Sequence, residues 1–385
     1  MVADERGLAA VAERLAGAPV LAVDVESNGL FKYRASLCTL QLATPDAEPI
    51  VVDALATPLA PLARVLAESG PRKIVHDIAF DARILAESGV LLGNVFDTSL
   101  AARMLGRTAT GLAALLQSEL GVAMDKKLQH HDWTERPLER QHIAYLEADV
   151  AHLPALAARL EREVAERGIA AEIEEETRYR LAQAAASVAA GDPRAPYLRM
   201  KGIDRVAREE LPLLRRLAEV REAEARALDV PPYKVIGPDV LFAIAKARPR
   251  TMDELTRVKN ALAGHRARAI APKLLAAVAQ GVADGAIPDA DAALLERPRL
   301  PSAQIKARRA REHRLTAWRR AEAKRRGVDE QVVLPGHCLQ DLADLEDATL
   351  AAIAAVPGIG AFRIEQSAAA LLAALHGRNE PEAHA

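Results

Sequence analysis

Pro19-Val20-Leu21-Ala22-Val23-Asp24-Val25-Glu26 is the stretch from which the rest of the chain is read. Pro19 to Val25 is a short run, apolar but for Asp24, and it reads as a buried strand. Side chains alternate along a strand, so Asp24 and Glu26 project from the same face at its end. Two carboxylates side by side repel each other. A divalent cation is the natural compensation, and hard oxygen ligands suit Mg²⁺ or Mn²⁺. Taken alone, the pair also fits exposed strand-end acids in a loop.

Further strands follow at short intervals. Leu37 to Ala43, Pro49 to Asp53, Lys73 to His76 and Asn94 to Asp97 read as four more. Helices are expected over Leu59–Ser69, Phe80–Ser88 and Thr98–Leu105, with Gly70-Pro71 and Gly89 as stops for the first two. A meander followed by alternating helices and strands predicts one mixed α/β sheet. From Gly111 onward the pattern is helical, with helices expected over Gly111–Leu120, Leu138–Val150, Pro154–Arg167 and Glu172–Ala190. The stretch from Gly281 to Pro301 reads as a linker or loop.

The chain has 385 residues, 51 Lys and Arg against 53 Asp and Glu, and a formal net charge of −2. Taken whole, that balance argues against a nucleic-acid partner. Divided, it reads differently. Residues 1–150 carry −6, residues 151–200 carry −1 and residues 201–385 carry +5. Cys38 and Cys338 are far apart, which excludes a disulfide scaffold or a cysteine zinc site and fits a reducing cytoplasm. The opening Met1 to Arg6 is polar, unlike a signal peptide, and no apolar run reaches the ~20 residues of a membrane span. No P-loop GxxxxGK[ST] is present, which speaks against a helicase.

Two further acidic features join the first pair. Asp81 opens a helix in His76-Asp77-Ile78-Ala79-Phe80-Asp81, where an acid also serves as a simple cap. Tyr145 and Asp149 are spaced i, i+4, which stacks them on one helix face. Leu146, Val150 and Leu153 suggest that Asp149 is partly buried, which is costly without a partner or a metal. His76, His130, His131 and His142 match no zinc spacing and read as surface or hydrogen-bonding residues, and Trp133 reads as a core anchor.

In order and context, Asp24-x-Glu26, Asp81 in its His-x-x-x-Phe-Asp setting, and Tyr145-x-x-x-Asp149 resemble the DEDD 3′→5′ exonucleases with Tyr in the last motif. Phe96-Asp97-Thr98, Asp132-Trp133, Arg136-Pro137-Leu138 and Gln141 are similar to the bacterial ribonuclease D family, and the match covers residues 18 to about 160. Two departures bear on the grip on a terminal nucleotide. Val25 stands where the family often has Thr, and the downstream aromatic pair is represented by Phe31 and Tyr33. The resemblance implies a ribonuclease H-like mixed-sheet exonuclease domain with two divalent ions, Mg²⁺ or Mn²⁺. It also implies roles for the set. Asp24 bridges the ions, Glu26 and Asp149 complete one, Asp81 supports the other, and Tyr145 orients the attacking water.

The helical half carries a second resemblance. Arg226-Ala227 to Val230-Pro231-Pro232, then Val235, Asp239, Leu241-x-x-Ile244-Ala245 and Pro249, resemble the helicase-and-RNase-D C-terminal (HRDC) domain, an all-α bundle. A weaker echo runs from about Leu315 to Leu375. The implied division is an exonuclease domain at 1–200, one HRDC domain at 205–285 and a second HRDC-like domain at 300–378. Lys306 to Arg326 holds ten Lys or Arg residues against Glu312 and Glu322, and phosphate contact is its expected use. Val356-Pro357-Gly358-Ile359-Gly360 resembles a helix-hairpin-helix turn whose backbone amides can meet phosphate.

The reading that follows is a cytoplasmic, metal-dependent 3′→5′ exoribonuclease. It would trim 3′ ends of tRNA precursors and other structured RNA to nucleoside 5′-monophosphates, with no membrane and no obligate protein partner. The alternatives are an exonuclease acting on DNA and a catalytically weak nucleic-acid-binding protein. Removing residues 201–385 is expected to leave cleavage of short oligonucleotides and to weaken binding of structured RNA.

Overall fold

The computed structural model describes residues 1–295 and 301–377. The described residues form two compact units. The first joins Met1–Glu26, Leu37–Ala190 and the described part of Leu300–Ala385; the second joins Ser27–Ser36 to the described part of Gly191–Arg299.

The first unit opens with α1 (Glu5–Leu15), whose end is capped by Asp4 accepting from the Gly7 amide at 2.8 Å. Five strands follow as one sheet: β1 (Val20–Ser27), β2 (Leu37–Ala43), β3 (Ile50–Asp53), β4 (Arg72–Val75) and β5 (Val95–Asp97), in the spatial order β3-β2-β1-β4-β5. β2 and β3 pair antiparallel, whereas β4 runs parallel to both β1 and β5. This is the expected mixed sheet. Its helices are α2 (Ala63–Leu66), α3 (Ile78–Glu87), α4 (Thr98–Met104), α5 (Leu112–Leu115), α6 (Arg140–Ala151), α7 (Leu153–Glu166) and α8 (Ala170–Ala190).

Two helices are shorter than expected. Over 59–69 there is a 3₁₀ turn at Ala60–Leu62 and then only the single turn of α2. Ala67 turns extended, and the buried Lys73 ammonium takes its carbonyl at 2.5 Å. Over 111–120, α5 gives way to a wide π turn at Leu116–Leu120, closed by Gly121 at φ 71°.

The second unit is all-helical: α9 (Leu211–Ala227), α10 (Pro232–Val235), α11 (Pro238–Ala247), α12 (Met252–Arg257), α13 (His265–Ala269), α14 (Ala271–Asp284) and α15 (Asp289–Leu295). The expected linker after Gly281 is thus partly helical, and residues 296–300 lie outside the described ones. Leu213, Leu214, Leu217, Leu241, Ile244, Leu255 and Leu274 make its core. The connection after β1 belongs to this unit. Lys32 pairs with Asp229 at 2.9 Å, Tyr33 donates its hydroxyl to Glu222 at 3.1 Å, and the Lys234 ammonium lies 4.4 Å above Phe31.

The last five helices rejoin the first unit: α16 (Ser302–Arg326), α17 (Glu330–Val333), α18 (Gly336–Asp344), α19 (Leu350–Ala354) and α20 (Ala361–His376). They repeat the logic of α9 to α14, a long helix followed by short ones and a long closing helix. Thr251 and Thr349 cap equivalent short helices, accepting from the Glu254 and Ala352 amides.

Docking within the first unit is polar and buried. The Arg326 guanidinium donates to Glu172 at 2.6 Å, and Arg363 donates to Glu176 at 3.2 Å and to the Val332 carbonyl at 3.2 Å. The Gly358–Gly360 turn is part of this joint, not an open phosphate cradle. The Phe362 amide already donates to the Glu175 carboxylate at 3.0 Å, and a Cβ at Gly360 would run into that carboxylate. An internal acid fills the place the sequence suggested for phosphate.

Candidate metal centre

β1 and α6 bring the first three carboxylates together. Asp24 and Glu26 project from β1, and Asp149 comes from α6, with their oxygens all within 4.8 Å of one another. It is the one such grouping of three or more His, Cys, Asp or Glu among the described residues, so the four histidines form no site of that kind there. α6 is set by a reciprocal cap. Glu139 is its N-cap, and the Glu139 amide donates to His142 Nδ1 at 3.1 Å. One turn before Asp149, Tyr145 lies on the same face of α6.

Asp81 enters from α3. Its N-terminus is held by a residue the sequence reading quoted without assigning a role, Asp97. Fully buried at the end of β5, Asp97 accepts from the amides of Asp77 (3.0 Å) and Ile78 (3.1 Å) and from those of Ser99 (2.9 Å) and Leu100 (3.1 Å). One carboxylate therefore caps α3 and α4 together and fixes where Asp81 stands. Asp81 lies outside the close trio, and its Oδ2 is buried with no hydrogen-bond partner among the described residues.

The electrostatics of the set call for a positive partner. Burial pushes the Asp24 carboxyl up to about 7. Burial, then repulsion from Asp24 and Asp149, pushes Glu26 up to about 9. Burial and the Asp24 charge push Asp149 up to about 8, and burial with the surrounding acids raises Asp81 well above its ordinary range. No Lys or Arg forms an ion pair with any of the four among the described residues. A divalent cation meets every term of this imbalance. It is hard, it takes oxygen donors, and it would satisfy the orphaned Asp81 oxygen.

Trp133 is more than a core anchor. It is 1% exposed, its ring lies 5.8 Å from that of Tyr145, and its indole dipole is the neighbour that draws the Glu26 pKa down. The indole N–H still lacks a hydrogen bond of normal geometry. The loop carrying Trp133 is clamped by Arg136, which donates to both Asp53 oxygens at 2.7 Å, to the Cys38 carbonyl at 3.2 Å and to the Trp133 carbonyl at 2.8 Å. His131 and His142 stack beside it with centroids 4.3 Å apart. An Arg beside Asp-Trp in sequence was the signal for this clamp, but its partner Asp53 lies 83 positions away.

Residues 1–165 match the family model described as a 3′-5′ exonuclease, and residues 210–278 and 308–375 each match the HRDC domain. Ribonuclease D of Nitrobacter hamburgensis is 31% identical over 281 residues, covering 72% of each chain. Ribonuclease D of Acidiphilium cryptum is 32% identical over 314 residues, covering 78% of this chain and 75% of that one. The chain belongs to the ribonuclease D family. The two HRDC matches fall on the two helical repeats seen in the fold. Escherichia coli RNase D, described as an exoribonuclease involved in structured RNA processing, shares the ribonuclease D fold with a TM-score of 0.70 over 98% of each chain at 23% identity.

Proposed function

We propose that this chain is a 3′→5′ exoribonuclease whose hydrolytic centre is the Asp24, Glu26, Asp81, Tyr145 and Asp149 set. The observation that carries it is three clustered carboxylates, half-buried to buried, with raised pKa values and no cationic partner among the described residues, in a member of the ribonuclease D family. Asp24, Glu26 and Asp149 would hold one divalent ion, and Asp24 with Asp81 a second, as Mg²⁺ or Mn²⁺. Bound there, such ions supply charge neutralisation at the scissile phosphate and water acidic enough to attack at neutral pH.

The chain's own groups do the rest. Tyr145 keeps its proton, because burial and the neighbouring acids raise its pKa above the ordinary 10. Its hydroxyl is therefore a hydrogen-bonding guide for the attacking water and not a base. Trp133 and the Arg136–Asp53 clamp hold Glu26 and Tyr145 in register. The substrate class is single-stranded 3′ ends of RNA, with tRNA precursors and other structured RNA as the proposed natural set. We retain the modules 1–200, 205–285 and 300–378 as the working division of the chain.

The test is digestion of a 5′-labelled single strand, RNA beside DNA, with Mg²⁺, Mn²⁺ or EDTA. A ladder shortening from the 3′ end of RNA and abolished by EDTA is expected. A preference for DNA, or cleavage that survives EDTA, would overturn the reading.

A further inference from the structure

Four contacts from the second HRDC repeat land on one face of α8. Arg326, the last residue of α16, donates to Glu172 at 2.6 Å. In α20, the Phe362 amide donates to Glu175 at 3.0 Å and Arg363 donates to Glu176 at 3.2 Å. The His337 ring of α18 stacks on Tyr179 with centroids 4.9 Å apart. Positions 172, 175, 176 and 179 follow the i, i+3, i+4, i+7 rule of a single helical stripe.

Glu172 depends on the repeat most. It is 1% exposed, and both of its cationic partners among the described residues, Arg326 and Arg363, come from there. Glu176 also has Arg180 of its own helix. A carboxylate as deep as Glu172 is costly without its cations, so α8 is most stable where the docked repeat can reach it.

A second stripe of α8 is buried as well. Ile173, Thr177 and Ala184 lie about a third of a turn round from the first. Ile173 shares a core with Phe96 of β5 and Leu100 of α4. α8 is also the main support of α3 among the described residues. α3 buries Ile78, Ala82 and Leu85 together with Asp81. Asp97 thus fixes the start of α3, and α8 carries its body. Packed interiors yield little, so a shift of α8 passes on to α3 instead of being absorbed.

We propose that Glu172, held by Arg326 and Arg363, is a positioning residue for Asp81: docking of the second repeat on α8 sets the place of α3 and, with it, the fourth carboxylate of the metal centre. Asp81 matters here as a support for a metal ion, so this assignment rests on the metal-centre reading above. It gives the second repeat a task within the exonuclease part, apart from any hold on substrate.

The first arm of the test is hydrogen exchange in the metal-stripped full chain, read as the rate over α3 relative to that over β2. Arg326→Gln removes one cation from Glu172. His337→Ala removes a stacked ring and leaves every buried charge paired, which keeps the test independent of a folding failure in the first variant. Leu8→Ala, in the core under α1, controls for lowered stability alone. The α3-to-β2 ratio should rise in the two joint variants, by about 5-fold or more in Arg326→Gln, stay at the wild-type value in Leu8→Ala and return towards it in Arg326→Lys. The second arm is Mn²⁺ titration followed by electron paramagnetic resonance. Arg326→Gln should weaken the looser of two sites by about 5-fold or more and leave the tighter one unchanged. An unchanged exchange ratio in both joint variants would overturn the proposal. So would a raised ratio with both Mn²⁺ affinities at wild-type values, since α3 would then loosen without consequence for Asp81. Failure of the wild type to bind two Mn²⁺ ions would count against the metal-centre reading alone, because the exchange arm is run without metal.

Discussion

Burial at the residue scale sets the chemistry of the carboxylate cluster. Protons bind Asp24, Glu26 and Asp149 more tightly in the folded chain than in the unfolded one, because their pKa values stand at about 7, 9 and 8 against ordinary values near 4. The folded state therefore holds more protons, and stability of the metal-stripped protein must fall as pH rises between about 4 and about 9. Thermal melting of the stripped chain across that range should show the decline, and saturating Mn²⁺ should remove most of it; a melting point that rises with pH would count against a buried, unpaired cluster. Asp24→Asn and Asp149→Asn each relieve repulsion, so both should melt at or above the wild-type temperature at pH 8 while RNA hydrolysis falls by at least about 10³-fold. Tyr145→Phe should lower kcat by about 10–100-fold with little change in the Mn²⁺ needed for half-maximal rate; an unchanged kcat would remove its role as a guide for water. Sequence spacing made these residues legible because i, i+2 on a strand and i, i+4 on a helix each fix a shared face. The depth of burial, which sets their pKa values, is a property of packing and has no local signature.

Two acids at the element scale decide where the catalytic side chains stand, and neither belongs to the cluster. Asp97 holds the starts of α3 and α4 with four backbone bonds, so Asp97→Ala should cost about 2–4 kcal/mol in chemical denaturation and reduce activity by displacing Asp81. Arg136→Ala leaves the Asp53 carboxylate, 6% exposed, without its partner. A fully buried break costs 3–5 kcal/mol, and the partly exposed guanidinium brings the expected loss to about 2–3 kcal/mol. A quenching change in Trp133 fluorescence, read in a Trp318→Phe background, should accompany it. The strands and most helices of the first 190 residues were legible from periodicity alone, with ends shifted by a residue or two. What escaped were α1, which was not expected at all, and the shortened α2 and the π turn after α5. At the last two, Lys73, Gly121 and backbone carbonyls override a helical pattern through contacts that periodicity does not encode. The Gly358–Gly360 turn was legible as a turn, but its occupant was not, because Glu175 lies far away in sequence.

The charge asymmetry read from sequence has, for the whole molecule, a more particular meaning than a basic tail. Arg308, Arg311, Arg314, Arg319 and Arg320 of α16 hold the second helical repeat together, and Arg326 fastens it to α8 of the exonuclease part. The expected clean truncation after residue 200 is therefore revised. Glu172 and Glu176 are buried, and deleting the chain after residue 200 would strip them of Arg326 and Arg363 and take Val332 out of the core it shares with Ile173. A chain ending at residue 200 should express poorly or melt well below the full chain, and equal melting temperatures would contradict this. The tandem repeat itself was visible as the weaker echo from about Leu315 to Leu375, because short helices and their caps recur in both repeats. Its attachment to the first unit was not, since the joint consists of ion pairs between residues more than 150 positions apart. The central claim is that the buried carboxylates are a metal-dependent centre for removing nucleotides from RNA 3′ ends. The most direct measurement is release of 5′-mononucleotide from 3′-labelled RNA while Mn²⁺ is titrated into the metal-stripped full chain and its Asp24→Asn variant. Saturable, Mn²⁺-dependent release by the wild type and none by the variant is the predicted result; equal release by both, or release without metal, would contradict it.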